Sequence, residues 1–183
     1  ILEAMAQAAA LFSFVDERSA AYAACGLSEE SGEPVVISCT GATASRNYMP
    51  GLTEAFYRKL PILAVTSTRD RSRYGHHEDQ VIDRTESQVD IVNSSVYVPN
   101  VKDNHDKWEC RTRISEAIAA LTKDGGGPAH INLATTYSRH YDTPNLPDIR
   151  PVDFHTFGTV LPKLEGRKIG IFVGSSHRVS DAL

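Results

Sequence analysis

The 183-residue chain has no apolar run near the roughly 20 residues that a bilayer-spanning helix needs, no Cys-x-x-Cys pair and no excess of basic residues. The first absence argues against a membrane protein built on helices. Cys25, Cys39 and Cys110 lie far apart, which argues against a disulfide framework or a zinc site; they read as small buried side chains in a reducing, cytoplasmic compartment. Lys and Arg number 19 against 23 Asp and Glu, a net charge of −4, and the basic residues are scattered. Nucleic acid and anionic lipid are therefore not expected partners. The apolar stretch Ala8–Phe12 is not preceded by Lys or Arg, unlike a secretory signal. Gly-x-Gly-x-x-Gly, Gly-Lys-Ser/Thr and Gly-x-Ser-x-Gly are all missing, which removes the dinucleotide, P-loop and hydrolase-elbow readings.

What is present alternates between strand and helix signals. The chain opens without Met in Ile1–Leu11, Ala-rich like the tail of a helix whose start is absent. Phe12–Val15 reads as a short strand, and Asp16-Glu17-Arg18-Ser19 opens a helix that Gly32 can end. Val35–Thr40 is β-branched between Pro34 and Gly41, as for a strand buried on both faces. After the small-residue turn Gly41–Ser45, apolar residues at helical spacing predict a helix through about Lys59, followed by a strand at Ile62–Thr66. The polar stretch Ser67–Asp79, a strand at Ser95–Val98, a helix at Asp106–Lys123 with Ile114, Ala117, Ile118 and Leu121 on one side, and a strand at Ala129–Leu133 complete the pattern.

Such alternation specifies an α/β domain, a three-layer open parallel sheet, over residues 1–134. Residues 135–167 contain four prolines and little periodicity, as in a connector. A strand at Lys168–Val173 and the first turn of a helix begin a second α/β domain over residues 168–183. The chain is expected to be a segment of a larger protein, missing the domain's first strand.

Ligands of open parallel sheets bind beyond the carboxyl ends of the strands. Glu17 falls at such a place: a partly desolvated carboxylate poised for proton exchange, or a first-turn Glu complementing the helix dipole with Asp16 as cap. Gly41–Ser45 could hold an anion or be merely a tight turn. Arg69, Arg71 and Arg73 could bind a carboxylate or phosphate, or decorate a charged loop. His76-His77-Glu78-Asp79 are too closely adjacent to converge on one metal ion and read as solvated loop.

Taken together, the ordered segments resemble the pyrimidine-binding, N-terminal domain of thiamine-diphosphate-dependent enzymes, the group of acetolactate synthase, 2-oxoacid decarboxylases and the menaquinone-pathway carboligase (SEPHCHC synthase). Asp16–Ala20 with Gly26-Leu27 and Ser31–Val35 is similar to the segment around that family's activating glutamate. Cys39–Ala44 with Asn47 and Gly51-Leu52 is similar to its small-residue turn, Pro61–Thr66 to the next strand, and Gly127–Leu133 to the closing strand. The carboligase fits best: Asp-Glu-Arg, Thr66 followed by Arg69, and Gln80 eleven residues after that Arg keep their spacing. Two prolines that usually follow this Arg are here Asp70-Arg71, and the usual Asn before the Gln is Asp79.

The resemblance implies that Glu17 bonds a pyrimidine nitrogen of thiamine diphosphate and favours the tautomer that deprotonates the cofactor. It implies cofactor contacts from Gly41, Ala42, Thr43 and Asn47, and substrate contacts from Gln80 and Arg69. The reaction would be decarboxylation of a 2-oxoacid and transfer of the fragment to an acceptor. Mg²⁺ and the diphosphate would be held by another domain carrying Gly-Asp-Gly, which this chain lacks; no metal ligand is expected here. The enzyme would be a homodimer or homotetramer with sites shared between subunits. The competing expectation is a non-catalytic α/β subunit or interaction module of the same fold.

Overall fold

The structure, a computed structural model, describes residues 10–84 and 86–136 together with a few isolated positions between 155 and 170. Chain contacts divide it into two compact units, Ile1–Pro151 and Val152–Leu183. The expected connector and second domain lie outside the described residues, isolated positions apart, as does most of the expected helix tail at Ile1–Leu11.

The first helix, α1 (Glu17–Ser31), starts where Asp16 caps it: the Asp16 carboxylate accepts a hydrogen bond from the Ser19 amide at 2.7 Å. It stops at Gly32, whose φ of 69° is the left-handed conformation that glycine adopts without a Cβ penalty. β1 (Val35–Cys39) follows, then α2 (Ala42–Asn47), α3 (Met49–Arg58), β2 (Ile62–Thr68), a 3-10 turn at Arg71–Arg73, β3 (Ser94–Val98), α4 (Asn104–Ala120) and β4 (Ala129–Ala134). The four strands form one parallel sheet in the order β1-β2-β4-β3.

Side chains of a strand alternate between faces, and the register sorts them cleanly. Ile37, Ile62 and Ala64 point toward α1 and α3, where they form one core with Ala21, Ala24, Cys25, Tyr48, Leu52, Ala55, Ile91 and Val92. Val96, Val98, Ala129 and Ile131 point toward α4 and form the second core with Cys110, Ala117, Ala120 and Leu121. α1 and α3 cross closely: a Cβ on Gly51 would stand 2.5 Å from that of Ala21.

Four expectations are corrected. Phe12–Val15 is not a strand; it runs unpaired, and Leu11, Phe12, Phe14 and Val15 are exposed. The helix expected through Lys59 is broken in two at Tyr48, because Pro50 has no amide to continue the ladder and takes the second position of a new helix. β1 is an edge strand, and Val36 lies 42% exposed because α4 packs mainly on β3 and β4, at the far side of the sheet. Ile118 faces outward, the buried stripe of α4 being Cys110, Ala117 and Ala120.

Candidate functional site

The parallel strands all end at one edge, where β1 turns into Gly41 and β2 runs out at Thr68. Gly41 is the residue before α2, and Ala42, Thr43 and Asn47 lie on that helix. Gln80, 37 residues beyond Thr43, reaches back to them: its Oε1 accepts from the Thr43 amide at 3.2 Å and lies 3.4 Å from the Thr43 hydroxyl. A backbone N–H can only donate, so the amide oxygen is the atom turned inward and the Nε2 hydrogens face outward. Gln80 adopts φ 59°, an uncommon conformation for a side-chain-bearing residue. Gly41 makes the approach possible, since a Cβ there would stand 2.7 Å from the Gln80 Oε1.

Glu17 is the first residue of α1 and half-buried. Among the described residues it has no hydrogen-bond partner. Its charge reaches Cys39, at the end of β1, and Tyr48: burial pushes the Cys39 thiol up to about 11 and raises the Tyr48 phenol, and Glu17 adds to both shifts. The first-turn position expected of Glu17 is therefore present, while the strand expected to lead into it is not.

Arg69 goes elsewhere. Its Nη1 donates to the carbonyl and hydroxyl of Thr135, just past β4, at 3.1 and 3.2 Å. Because β2 lies between β1 and β4, Gln80 and Arg69 turn to opposite sides of the β2 end. Arg71 stacks over Tyr97 at 4.1 Å, and Arg73 pairs with Glu78 at 2.8 Å, so the loop's arginines are engaged within the protein. Among the described residues no three His, Cys, Asp or Glu side chains gather as metal ligands, and no helix is long and apolar enough to cross a membrane.

The residues missed by sequence reasoning are buried and polar. Arg84 is only 5% exposed. Its Nη1 donates to the Gly41 carbonyl at 3.2 Å and the Ser45 hydroxyl at 2.7 Å, and its Nη2 to the Ser67 carbonyl. Below it, His130 Nε2 lies 2.8 Å from the Thr66 hydroxyl, and the Asn132 amide donates to the Arg84 carbonyl at 3.3 Å. Burial, then the charges of Arg84 and Arg46, push the His130 imidazole down to about 4, so it is neutral at pH 7. Among the described residues Arg84 Nε and Asn132 Oδ1 have no partner, and Arg84 and His130 line a cavity of about 30 Å³ with Ser45, Thr66 and Tyr48. One signal was readable: His130 and Asn132 alternate with Ala129, Ile131 and Leu133 in a strand expected to be buried throughout, so polar partners had to exist on one face.

An open parallel sheet with a glycine and an amide group brought together beyond the carboxyl ends of its strands defines an α/β domain, and that edge is where such sheets take their ligands. Residues 1–87 match the family model of the thiamine pyrophosphate enzyme, N-terminal TPP binding domain. It is 33% identical over 142 residues, 77% of this chain and 26% of the relative, to the 2-succinyl-5-enolpyruvyl-6-hydroxy-3-cyclohexene-1-carboxylate synthase of Phocaeicola vulgatus. To the synthases of the same name from Bacteroides thetaiotaomicron and Flavobacterium psychrophilum it is 30% and 37% identical, over 77% and 67% of this chain and 26% and 21% of theirs. The chain thus spans about a quarter of the length of the curated relatives it matches. The fold is that of the X-ray structure of a proposed thiamin diphosphate-dependent enzyme isolated from Mycobacterium smegmatis, with TM-score 0.54 and 19% identity over 66% of this chain and 22% of that one.

Proposed function

We propose that this chain supplies the pyrimidine-facing part of a thiamine-diphosphate-dependent enzyme that decarboxylates a 2-oxoacid and transfers the remaining fragment to an acceptor. The single observation that carries the reading is a half-buried Glu17 carboxylate, without a hydrogen-bond partner among the described residues and near enough to Cys39 at the end of β1 to raise its thiol further, in a chain whose residues 1–87 match that family model. The residues fit the cofactor. Glu17 has an oxygen to offer a ring nitrogen, and Gly41 presents backbone without a side chain.

When bound, thiamine diphosphate supplies the electron sink that decarboxylation of a 2-oxoacid needs. Glu17 would hold and release a proton at its carboxyl oxygen toward the pyrimidine ring. Gly41, Ala42, Thr43 and Asn47 would line the ring's approach. Gln80, its oxygen committed to the Thr43 amide, presents an N–H donor outward; the substrate atom it meets is an acceptor, such as a carboxylate or carbonyl oxygen. Arg69 would favour the same anionic class from the other side of β2. Mg²⁺ and the diphosphate would be held by a further domain, in an oligomer that shares each site between subunits, and the setting would be cytoplasmic.

The test is Glu17→Gln in the whole enzyme. Loss of a positioned proton donor and acceptor should lower kcat by about 100-fold or more; an unimpaired rate overturns the assignment. Calorimetry of residues 1–183 with thiamine diphosphate and Mg²⁺ should show no tight binding, because these residues would meet only the pyrimidine end of the cofactor.

A further inference from the structure

The segment from Gln80 to Arg84 is tied at both ends to one turn. At its start, Gln80 Oε1 accepts from the Thr43 amide. At its end, Arg84 Nη1 reaches the Gly41 carbonyl and the Ser45 hydroxyl. The Ser45 hydroxyl in turn donates to the Ala42 carbonyl at 2.8 Å, so Arg84 closes the turn from beneath while Gln80 closes it from above. The other arm of Arg84 holds the Ser67 carbonyl, and the Ser67 hydroxyl donates to the Thr40 carbonyl at 3.2 Å. One guanidinium therefore joins the end of β1, the end of β2 and the turn that carries Thr43.

Packing alone does not account for a cation here. Burying a charge is costly unless it is fully hydrogen-bonded, and these partners are neutral carbonyls and a hydroxyl. Lys is a poor replacement: a point ammonium cannot present a planar fork to acceptors on Gly41, on α2 and on β2 at once. Gln80, meanwhile, sits in a backbone conformation that a side-chain-bearing residue keeps only when its surroundings hold it there. The four-residue tether to Arg84 and the bond to Thr43 are what hold it.

We propose that Arg84 is a positioning residue: it fixes the Gly41–Ser45 turn and, through it, the orientation in which Gln80 offers its amide hydrogens to substrate. The inference rests on the substrate-facing role given to Gln80 above. Arg84 does not touch the ligand itself.

The experiment is a double-variant cycle in the whole enzyme, with hydrogen exchange read alongside kinetics. Gln80→Ala and Arg84→Met should each raise KM for the 2-oxoacid about tenfold while changing kcat less than about threefold. The combined variant should lie within about twofold of the worse single one, because both break the same arrangement. Arg84→Lys, which keeps the charge and is the fallback if Arg84→Met does not fold, should give an intermediate KM. Exchange in the peptide spanning residues 41–48 should quicken in the Arg84 and Gln80 variants alike. Multiplicative KM effects, or a lower Tm with unchanged KM and unchanged exchange in that peptide, would overturn the proposal. An enzyme inactive on every 2-oxoacid would sink the functional reading instead, and exchange in residues 41–48 would then decide the role of Arg84 by itself.

Discussion

The two faces of the sheet are built from the same strands by different rules. Toward α4, strands β2, β3 and β4 present Leu63, Val65, Val96, Val98, Ala129, Ile131 and Leu133, an apolar set against an apolar stripe. Toward α1 and α3 the sheet begins apolar, with Ile62 and Ala64, then turns polar along Thr66, Thr68, Ser95, His130 and Asn132. An apolar face tolerates any packing of the right volume. A polar one demands specific partners, each buried donor finding its acceptor or costing about 1–3 kcal/mol. The polar half lies under the Gly41 turn and Arg84, so the face with the stricter rules is the one beneath the candidate site.

The contrast can be broken at chosen points. The largest effect should come from the apolar face: Ile131→Ala removes a buried side chain between β4 and α4 and should cost about 2–5 kcal/mol, read by denaturant unfolding. The polar face should instead respond to acid. His130 has its imidazole held down to about 4 against an ordinary 6.5, so between those values the unfolded chain binds a proton that the folded one refuses. Stability is then complete above pH 6.5 and falls as pH drops toward 4, by roughly 3 kcal/mol in all. A Tm-versus-pH series should show this slope, and His130→Gln should flatten it; an equal slope in the variant would contradict the assignment.

Smaller changes sharpen the comparison. Gly51→Ala forces a Cβ against the Cβ and backbone of Ala21 where α1 meets α3, and backbone cannot swing aside, so a loss of about 1–3 kcal/mol is expected by thermal unfolding. Gly41→Ala places a Cβ 2.7 Å from Oε1 and 3.1 Å from Cβ of Gln80, so that one exposed side chain must shift. Stability should drop by less than about 1 kcal/mol, while exchange of the Thr43 amide, freed of its acceptor, should quicken.

These differences also explain what could be read from the residues in order. α1, β1, β2, β3, α4 and β4 were legible because each carries its own boundary: Asp16 and Gly32 for α1, Pro34 and Gly41 around β1, the triple glycine before β4. Phe12–Val15 carries an equally good strand pattern but no partner strand among the described residues, and a pattern without a partner makes no ladder. Glu17, Gly41 and Gln80 were legible as motifs. That Gln80 closes on Thr43 was not, since 37 residues of loop, helix and strand separate them. Arg84 was invisible for a related reason. Its acceptors are the carbonyls of Gly41 and Ser67 and the hydroxyl of a serine, groups that leave no charge pattern in a sequence.

The three thiols offer a practical handle. Burial raises the affinity of Cys25, Cys39 and Cys110 for their protons, so at neutral pH all three stay as thiols, the form that neither alkylates nor oxidises readily. Since the chain has no other cysteine, a single cysteine placed at an exposed position of the loop after β2, Ser72 for instance, would take a fluorophore or spin label almost alone. The edge where the strands end could then be watched directly as ligands arrive.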